Sequence, residues 1–381
     1  MRILLTSHYA LPHLGGIEVA IDALARELTA RGHDVCHVAS AARRPDEPAG
    51  GADAPGYRVL RLPARNGLEG RLGVPWPVFS RPLAAALRRE VALADVVHGH
   101  GALYMSSLWA LLAARRRGRA RVLTEHVGHV AYERRVLDLT QRAAFATMGR
   151  AAIRSAQAIV VLNEKVEAQM HEPAAGRPVV TIHNGVDGEL FRPPVDGERA
   201  ALRAELGWDR RPRVLFVGRL VAKKGLDAAL DAARHARGAF ELCVVGPGRP
   251  PAAVSAHVEL RGAEPRERVA QLYRAADAFL LPSRGEGFPV TAQEAMASGL
   301  PAVLAADPGY ARYVAGAGAG VRQAPAEGAA LARALAELLA DEHGRRTAGA
   351  TAAAHARTAF SWSRAADEHL ELYGRALGSL R

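Results

Sequence analysis

The stretch Met1–Ser40, MRILLTSHYALPHLGGIEVAIDALARELTARGHDVCHVAS, decides the fold class of this chain. Ile3–Ser7 and Val35–Ser40 are short apolar runs that predict strands. Between them, Ile17–Ala30 carries apolar residues at helical spacing, and Gly32 marks the end of that helix. A strand, a helix and a second strand in this order form a βαβ unit, which favours a parallel sheet covered by helices on both faces.

The same alternation continues in two blocks along the chain. In the first block the predicted strands and helices are Asp95–His98, Ser106–Arg117 (helix), Arg121–Glu125, Val136–Ser155 (helix), Ala158–Leu162 and Val179–His183. In the second block they are Arg213–Val217, Gly225–His235 (helix), Phe240–Val245, Val258–Arg261, Glu264–Ala275 (helix), Ala278–Leu281, Pro289–Ser298 (helix) and Ala302–Ala305, with mostly helix from Glu327 onward.

The two blocks are separated by NGVDGELFRPPVDGE, whose Gly, Pro and Asp residues interrupt the alternation from Asn184 onward. We therefore predict an α/β protein with two Rossmann-like doubly wound domains, residues 1–187 and 188–360, followed by a C-terminal segment, 361–381. The simplest architecture has the two domains facing one cleft. Ligands of such sheets bind beyond the carboxyl ends of the strands.

Composition excludes several classes of protein. The chain has 381 residues, 49% hydrophobic and 23% charged, which excludes disordered, collagen-like and coiled-coil proteins. No stretch approaches the roughly 18 apolar residues of a membrane span, and the N-terminus predicts a buried strand rather than a signal peptide. Cys36 and Cys243 lie in apolar strands, so we expect core packing, not a disulfide or metal site, and a cytoplasmic protein.

The net charge of +11 comes from arginine, because 47 of the 50 basic residues are arginines and the lysines are Lys165, Lys223 and Lys224. This bias makes the high isoelectric point partly a matter of codon usage. The sequence has no zinc-ligand spacing, recognition helix or basic run interleaved with aromatic residues, so we predict no nucleic-acid partner.

The segment Pro282–Pro301, PSRGEGFPVTAQEAMASGLP, carries the strongest functional signal. A strand is predicted just before it, and Pro289 suits the first turn of a helix, where its missing N–H needs no partner. The free N–H groups at such a helix start favour phosphate. Glu286 and Glu294 are eight residues apart, and a carboxylate can accept two hydroxyl hydrogen bonds. We predict a ribose or sugar site here; the alternative is two solvated acids.

Two further strand ends carry candidate phosphate ligands. GRLVAKKG, Gly218–Gly225, places Arg219 and Lys224 after a strand, where they could neutralise a departing diphosphate; the alternative is a solvated basic turn. Gly15 and Gly16 join the first strand to the first helix and would let backbone N–H groups approach a phosphate. The absence of G-x-G-x-x-G argues against a nicotinamide dinucleotide, and the VVGPGRP segment predicts only a turn.

Histidines cluster at strand ends in DVVHGHG and LTEHVGH. A metal site is one interpretation of His98, His100, Glu125, His126 and His129, but the spacings match no helix-borne ligand pair. We also do not expect strand alternation to bring His98 and His100 together. We predict no metal, and either a substrate contact or a satisfied structural role for His126.

Together these features resemble the retaining nucleotide-sugar glycosyltransferases of family four, which have the GT-B fold. The resemblance covers essentially the whole chain and includes the glycine loop, both histidine-bearing strand ends, NGVD, GRLVAKKG and the Glu-x7-Glu pair. FSWSRAADEHLELYG, starting at Phe360, resembles the C-terminal helix that crosses back to the first domain in that family.

The resemblance implies roles for individual residues. It implies that Glu294 holds the donor ribose, that Glu286 contacts the transferred sugar, and that His126 lies near that sugar. Arg219 and Lys224 would hold the diphosphate. The remaining donor-binding residues implied by the resemblance are Gly15, Gly16, Gly287, Phe288, Pro289 and Val290, with proline at 289 where many members have a second glycine.

The implied reaction moves a hexose from a nucleotide diphosphate to an acceptor hydroxyl with retention, without a metal or other cofactor, and with the departing phosphate as base. A sugar phosphorylase on the same fold, a hydrolysing nucleotide-sugar epimerase and a non-enzymatic sensor stay open as alternatives. The acceptor is a sugar, a lipid-linked molecule or a small molecule. The basic and apolar segments Arg65–Glu90 and Arg115–Arg121 either rest on the anionic inner face of the membrane or simply cover the first domain.

Overall fold

The structure of the chain is a computed structural model that describes residues 1–11, 16–41, 56–65, 78–79, 82–128, 135–249, 253–284 and 288–380. These residues form two compact units: Met1–Gly185 together with Trp362–Arg381 (unit 1), and Val186–Ser361 (unit 2). The chain therefore leaves unit 1 two residues before the predicted end at 187 and returns to it at Trp362.

Unit 1 is built on a parallel sheet. Its described strands are β1 Arg2–Thr6, β2 Asp34–Ser40, β3 Arg58–Leu62, β4 Ala64–Arg65, β5 Val78–Phe79, β6 Val96–His100, β7 Ala120–Glu125, β8 Ala158–Val161 and β9 Val179–Thr181. Seven of them form one sheet in the order β3-β2-β1-β6-β7-β8-β9, and β4 pairs antiparallel with β5.

Helices connect the strands of unit 1, as parallel neighbours require. They are α1 Gly16–Ala30, α2 Pro82–Leu93, α3 Met105–Arg116, α4 Arg135–Ala144, α5 Arg150–Ser155, α6 Glu164–Ala174 and, after the return from unit 2, α14 Trp362–Gly378. A π-helical turn, Phe145–Gly149, joins α4 to α5, so the long helix predicted over Val136–Ser155 is continuous with one widened turn.

The core of unit 1 lies on both faces of the sheet. Ile3 on β1 pairs with Val35 on β2 and Val96 on β6, and all three side chains are buried. Helix α14 packs beside α1 on one face, where Tyr373 is fully buried. The apolar stripe in the last twenty residues thus completes the sheet cover of unit 1, as the C-terminal helix was expected to do.

Unit 2 repeats the doubly wound pattern. Its described strands are β10 Arg213–Val217, β11 Glu241–Val245, β12 Val258–Gly262, β13 Ala278–Leu281, β14 Ala302–Ala305 and β15 Val321–Ala324, in the parallel order β12-β11-β10-β13-β14-β15. Its α-helices are α7 Glu198–Glu205, α8 Leu226–Ala236, α9 Arg266–Ala275, α10 Val290–Ala297, α11 Ala311–Ala315, α12 Gly328–Ala340 and α13 Glu342–Ala359. Short 3-10 turns occupy Ala222–Lys224, Pro308–Tyr310 and Gly318–Gly320.

Both cysteines are buried and free, Cys36 on β2 and Cys243 on β11, as core residues. Burial raises the pKa of each thiol to about 12, so both stay protonated and unreactive. Among the described helices of both units, none combines the length and hydrophobicity needed to cross a bilayer.

Candidate active site

The strand order of unit 2 locates its ligand-binding edge. β10 lies between β11 and β13, so the chain runs to one side of β10 first and to the other side afterwards. Such a reversal leaves a crevice at the carboxyl ends of the two neighbouring strands, where doubly wound sheets bind ligands. The loops that follow β10 and β13 are Gly218–Gly225 and the segment beginning at Pro282, the two segments with the strongest functional signals in the sequence.

The loop after β10 presents two cations at this crevice. Arg219 is exposed, and Lys224 is partly buried at the end of the 3-10 turn. The stem of Lys224 lies over Gly218, because a Cβ built at Gly218 would be 3.5 Å from Lys224 Cδ. The backbone of the loop is also fixed, since the Arg284 N–H donates to the Lys223 carbonyl at 3.1 Å. The loop therefore holds both cations beside the loop that follows β13.

Glycines allow these loops to approach each other. Gly225 has φ +75°, and a Cβ there would lie 2.2 Å from the Pro282 carbonyl oxygen. Gly246, in the VVGPGRP turn, has φ +146°, and a Cβ there would lie 1.9 Å from the Gly218 carbonyl oxygen. A side chain at either position would push the loops apart. The turn after β11 thus packs closely against the loop after β10, a contact that the sequence did not indicate.

Helix α10 begins one residue later than predicted. Pro289 has extended backbone (φ −67°, ψ 133°) and immediately precedes the helix instead of lying in its first turn. Its carbonyl oxygen accepts from the N–H groups of Ala292 and Gln293 at 3.0 and 3.2 Å. The N–H groups of Val290 and Thr291 have no acceptor within the helix, so the start of α10 retains its capacity to bind an anion.

Phe288, one of the predicted donor-binding residues, lies in an aromatic cluster of unit 2. Its ring is buried and stacks on Tyr313, with centroids 4.4 Å apart, and it also packs against Tyr310 and Phe360. These contacts fix the Phe288 side chain immediately before the start of α10. The contact of Phe288 with the donor stays a prediction. Glu286 and Gly287 lie outside the described residues.

Glu294 is in the second turn of α10, and a tyrosine of α9 contacts its side chain. The Tyr273 hydroxyl donates to Glu294 Oε2 at 3.3 Å and to the Thr291 carbonyl oxygen at 3.0 Å. Burial raises the pKa of Glu294 to about 7, although Arg266 and the Tyr273 hydrogen bond partly lower it. Among the described residues, Tyr273 is the hydrogen-bond partner of this carboxylate, so its oxygens can accept further hydrogen bonds from hydroxyl groups of a ligand.

Unit 1 has its own strand reversal, between β1 and β6. Gly16 is the first residue of α1, immediately after the connection from β1, and is exposed. A Cβ built at Gly16 would meet nothing within 4 Å, so neither packing nor backbone geometry requires a glycine there. Gly15 lies outside the described residues.

His126 follows β7, next to β6, and is nearly fully buried. Its Nε2 makes a 2.9 Å hydrogen bond with His100 Nδ1, so Nδ1 is the ring nitrogen of His126 with no partner among the described residues. Burial lowers the pKa of His126 to about 3, and the ring is therefore neutral. It can donate or accept a hydrogen bond but cannot serve as a proton-donating imidazolium at neutral pH.

The expectation that His98 and His100 point apart is wrong. Their ring centroids are 4.2 Å apart, because residues i and i+2 of a strand share one face of the sheet. His98 bonds to the Tyr373 hydroxyl and to Thr124 Oγ1, each at 2.7 Å, which is a structural role. Within the described ranges, no three His, Cys, Asp or Glu side chains are arranged to hold a metal ion, and His129 lies outside those ranges.

Comparison with known proteins agrees with this geometry. The family model "Glycosyltransferase Family 4" matches residues 14–190, and the model "Glycosyl transferases group 1" matches residues 198–355. A D-inositol 3-phosphate glycosyltransferase from Xylanimonas cellulosilytica is 32% identical, with 95% of this chain and 92% of that protein covered. The chain belongs to glycosyltransferase family 4. This glycosyltransferase is equally similar to a protein of the same name from Nocardia farcinica, 33% identical over 95% of this chain and 85% of the relative.

Solved structures share the GT-B fold of this family-4 enzyme. Sucrose-phosphate synthase from Thermosynechococcus elongatus has a TM-score of 0.76 and 22% identity, with 99% of each chain covered. Anabaena HepE, solved in complex with UDP, has a TM-score of 0.77 and 21% identity, with 98% of this chain and all of that chain covered. Membership of the family makes the chain a transferase that moves a sugar from a nucleotide-sugar donor.

Several residues that shape the site of this glycosyltransferase escaped sequence analysis. Tyr273 orients Glu294 from a different helix, 21 positions away, and His100 fixes one nitrogen of His126 from a neighbouring strand. Neither partner belongs to the motif of the residue that it holds. The His100–His126 contact can be predicted only once β6 and β7 are known to be neighbouring strands of the sheet.

Proposed function

We propose that this family-4 enzyme transfers a hexose from a nucleotide diphosphate sugar to an acceptor hydroxyl, with retention of anomeric configuration and without a metal ion. The observation that carries the proposal is the pair of loops at the β10/β13 crevice. The loop after β10 bears Arg219 and Lys224, and α10 is the next helix after β13. Two cations and a helix start supply the countercharge that a departing diphosphate needs, which is the task a metal performs in other enzymes.

We propose a role for each candidate residue, and the positions of the described ones support these roles. Lys224 and Arg219 neutralise the negative charge that grows on the leaving phosphate, and that phosphate takes the proton of the acceptor hydroxyl. Glu294 accepts hydrogen bonds from the donor ribose in its ionised form. His126 contacts the transferred sugar through Nδ1 as a neutral group, and Glu286 is expected to contact the same sugar.

The ionisation of Glu294 predicts a pH dependence of donor binding. With a folded-state pKa of about 7, the carboxylate is a minor form at pH 6 and the main form at pH 8. The KM for the donor is therefore expected to fall about tenfold between pH 6 and pH 8. Initial-rate kinetics measure this, with Glu294→Gln expected to raise KM and abolish its pH dependence. Tyr273→Phe, which removes a hydrogen bond to the carboxylate, should move the profile to higher pH. An unchanged profile in Glu294→Gln would assign the titration to another group.

Gly16→Ala separates a ligand role from a packing role. Because a Cβ at Gly16 meets no atom within 4 Å, the melting temperature should be unchanged. If the diphosphate approaches the start of α1, the added methyl group displaces it, and we expect the donor KM to rise about tenfold. Thermal unfolding and initial rates on the same preparation measure both. Gly374→Ala, on exposed α14 surface with an equally open Cβ position, is the matched control.

The first experiment is a thermal-shift screen of UDP-, GDP-, ADP- and TDP-sugars, because a ligand that binds the folded state raises its melting temperature. UDP-glucose is the first donor to test, since HepE has been solved with UDP and with UDP-glucose. NMR of the product anomer tests retention, and assays in EDTA test metal independence. An inverted anomer or activity lost in EDTA would contradict the proposal.

For the acceptor, we propose a small phosphorylated polyol, and the support is the name shared by the relatives, D-inositol 3-phosphate glycosyltransferase. Assays with D-inositol 3-phosphate, unphosphorylated inositol and a lipid-linked acceptor test it, and turnover with the lipid-linked acceptor alone would contradict it. The membrane alternative rests on Arg65–Glu90, most of which lies outside the described residues, and on the basic segment at the end of α3.

A further inference from the structure

A pocket of about 490 Å³ lies at the opposite edge of the unit 1 sheet from His126 and Gly16. It is formed at the amino ends of β7 and β8, where helices α3, α5, α6 and α14 end. The volume is within the range of small-molecule sites. Its charged lining consists of four arginines, Arg115, Arg121, Arg154 and Arg177, and no acidic residue lines it.

Two of these arginines donate hydrogen bonds to backbone carbonyl groups at helix ends and turns. Arg177 is fully engaged, because its three nitrogens donate to the carbonyl oxygens of Ala156, Ala174 and Arg154 at 2.7–3.0 Å. Arg121 donates through Nε to the Ser155 carbonyl oxygen at 2.8 Å and through one Nη to the Arg119 carbonyl oxygen at 2.6 Å. These two arginines are therefore structural caps of helix ends and turns.

The other two arginines of the pocket, Arg115 and Arg154, do not cap helix ends or turns. The guanidinium groups of Arg115 and Arg154 make no hydrogen bond or ion pair with any residue that the structure describes. Glu172 of α6 is paired with Arg150 at 2.8 Å. Burial and the charges of Arg115 and Arg177 lower the pKa of Arg121. The pocket thus concentrates cations without a carboxylate counterion from the described residues.

We propose that this pocket is a second ligand site of the enzyme and that it binds the phosphate group of a small phosphorylated molecule. Guanidinium groups match the oxygens of a phosphate in pairs, and a phosphate dianion would relieve the repulsion among the arginines. Because the pocket lies at the amino ends of the strands, its occupant takes no part in the transfer reaction. The phosphate group can come from a soluble molecule or from a phospholipid headgroup.

Titration calorimetry with inorganic phosphate at low ionic strength tests the proposal. The experiment uses Arg219→Ala/Lys224→Ala protein, in which the cations of the β10 loop cannot contribute binding. Arg115→Gln/Arg154→Gln in this background is expected to weaken phosphate binding about tenfold or more. Neither side chain has a described partner, and its removal relieves repulsion, so the melting temperature should not fall. The matched control is Arg116→Gln/Arg117→Gln, which removes the same charge from exposed residues beside the pocket.

Flotation with phosphatidylglycerol or phosphatidylcholine vesicles identifies the source of the phosphate group. Binding to phosphatidylglycerol that Arg115→Gln/Arg154→Gln abolishes and the control retains supports the site with a headgroup as occupant. Phosphate binding without vesicle binding supports it with a soluble occupant. Equal losses in the pocket variant and the control, or no Arg115- and Arg154-dependent binding of either probe, would overturn the proposal.

Discussion

Replacing Lys224 with alanine is expected to lower kcat by about a hundredfold or more, as the loss of a charge stabiliser does in other active sites. The stem of Lys224 lies over Gly218 at the carboxyl end of β10. Negative charge on the leaving diphosphate grows only as the sugar–phosphate bond breaks. The loss should therefore fall mainly on kcat and less on the KM for the donor. Arg219→Ala is expected to give a loss of similar size.

Lys223→Ala is the matched control, because Lys223 is the exposed neighbour with the same charge. It should retain most of the wild-type rate. Lys224→Arg tests the need for a compact ammonium in a chain that uses arginine at 47 of 50 basic positions, and we expect it to recover only part of the activity. Steady-state kinetics of the purified variants measure all three. Wild-type rates in both Lys224→Ala and Arg219→Ala would remove these residues from the mechanism.

The strands of the sheet centres were predictable because they are buried on both faces. Ala278–Leu281 was predicted to the residue, and Arg213–Val217 likewise. The edge strands β3 (Arg58–Leu62) and β15 (Val321–Ala324) were missed, since each has solvent-facing positions that interrupt the apolar run. Helix α7, Glu198–Glu205, was missed because it follows directly on the proline- and glycine-rich linker.

The parts of the candidate site that depend on local sequence motifs were predictable. Arg219 and Lys224 were predicted from their position after a strand, and Glu294 from its spacing to Glu286 and its place in the following helix. Strand order brings the loops of β10 and β13 together. The anchoring of Phe288 by Tyr313 was not predictable, because the aromatic partner comes from a helix beyond β14. Contacts between side chains of elements that are distant in sequence depend on tertiary packing. The periodicity of a single sequence does not indicate them.

Mild acid is expected to unfold unit 1 before unit 2. Among the described residues of unit 1, five buried histidines have a pKa that burial lowers. Their folded-state pKa values are about 4 for His37 and His369, about 3 for His126, and well below 6.5 for His98 and His100. Unfolded chains bind protons at these histidines near pH 6.5, whereas the folded unit stays unprotonated until much lower pH. Folding stability is therefore full above pH 6.5 and is lost as the pH falls below it.

His37, His126 and His369 each remove about 2 kcal/mol of stability between pH 7 and pH 5, and together they exceed the smaller values of total stability known for single domains. Glu125 opposes them: burial raises its pKa to about 7, so the folded unit gains its proton first. One carboxyl offsets one histidine, and the net effect on unit 1 stays strongly destabilising. In unit 2, burial raises the pKa of Glu294 to about 7, so the proton that this carboxylate takes up in mild acid favours the folded state.

Hydrogen exchange pulsed at one fixed pH, after incubation between pH 7 and pH 5, distinguishes the units. Protection in β6 and β7 should disappear before protection in β10 and β13. His369→Phe is the informative variant, because its Nδ1 bonds only to the Ala365 carbonyl oxygen of the same helix, at 2.7 Å, and the phenyl ring keeps the packing against Tyr373. Denaturant unfolding of this variant should show a pH dependence reduced by about one proton. Stability that is flat from pH 7 to pH 5, or simultaneous loss of protection in both units, would show that these histidines are protonated in the folded state.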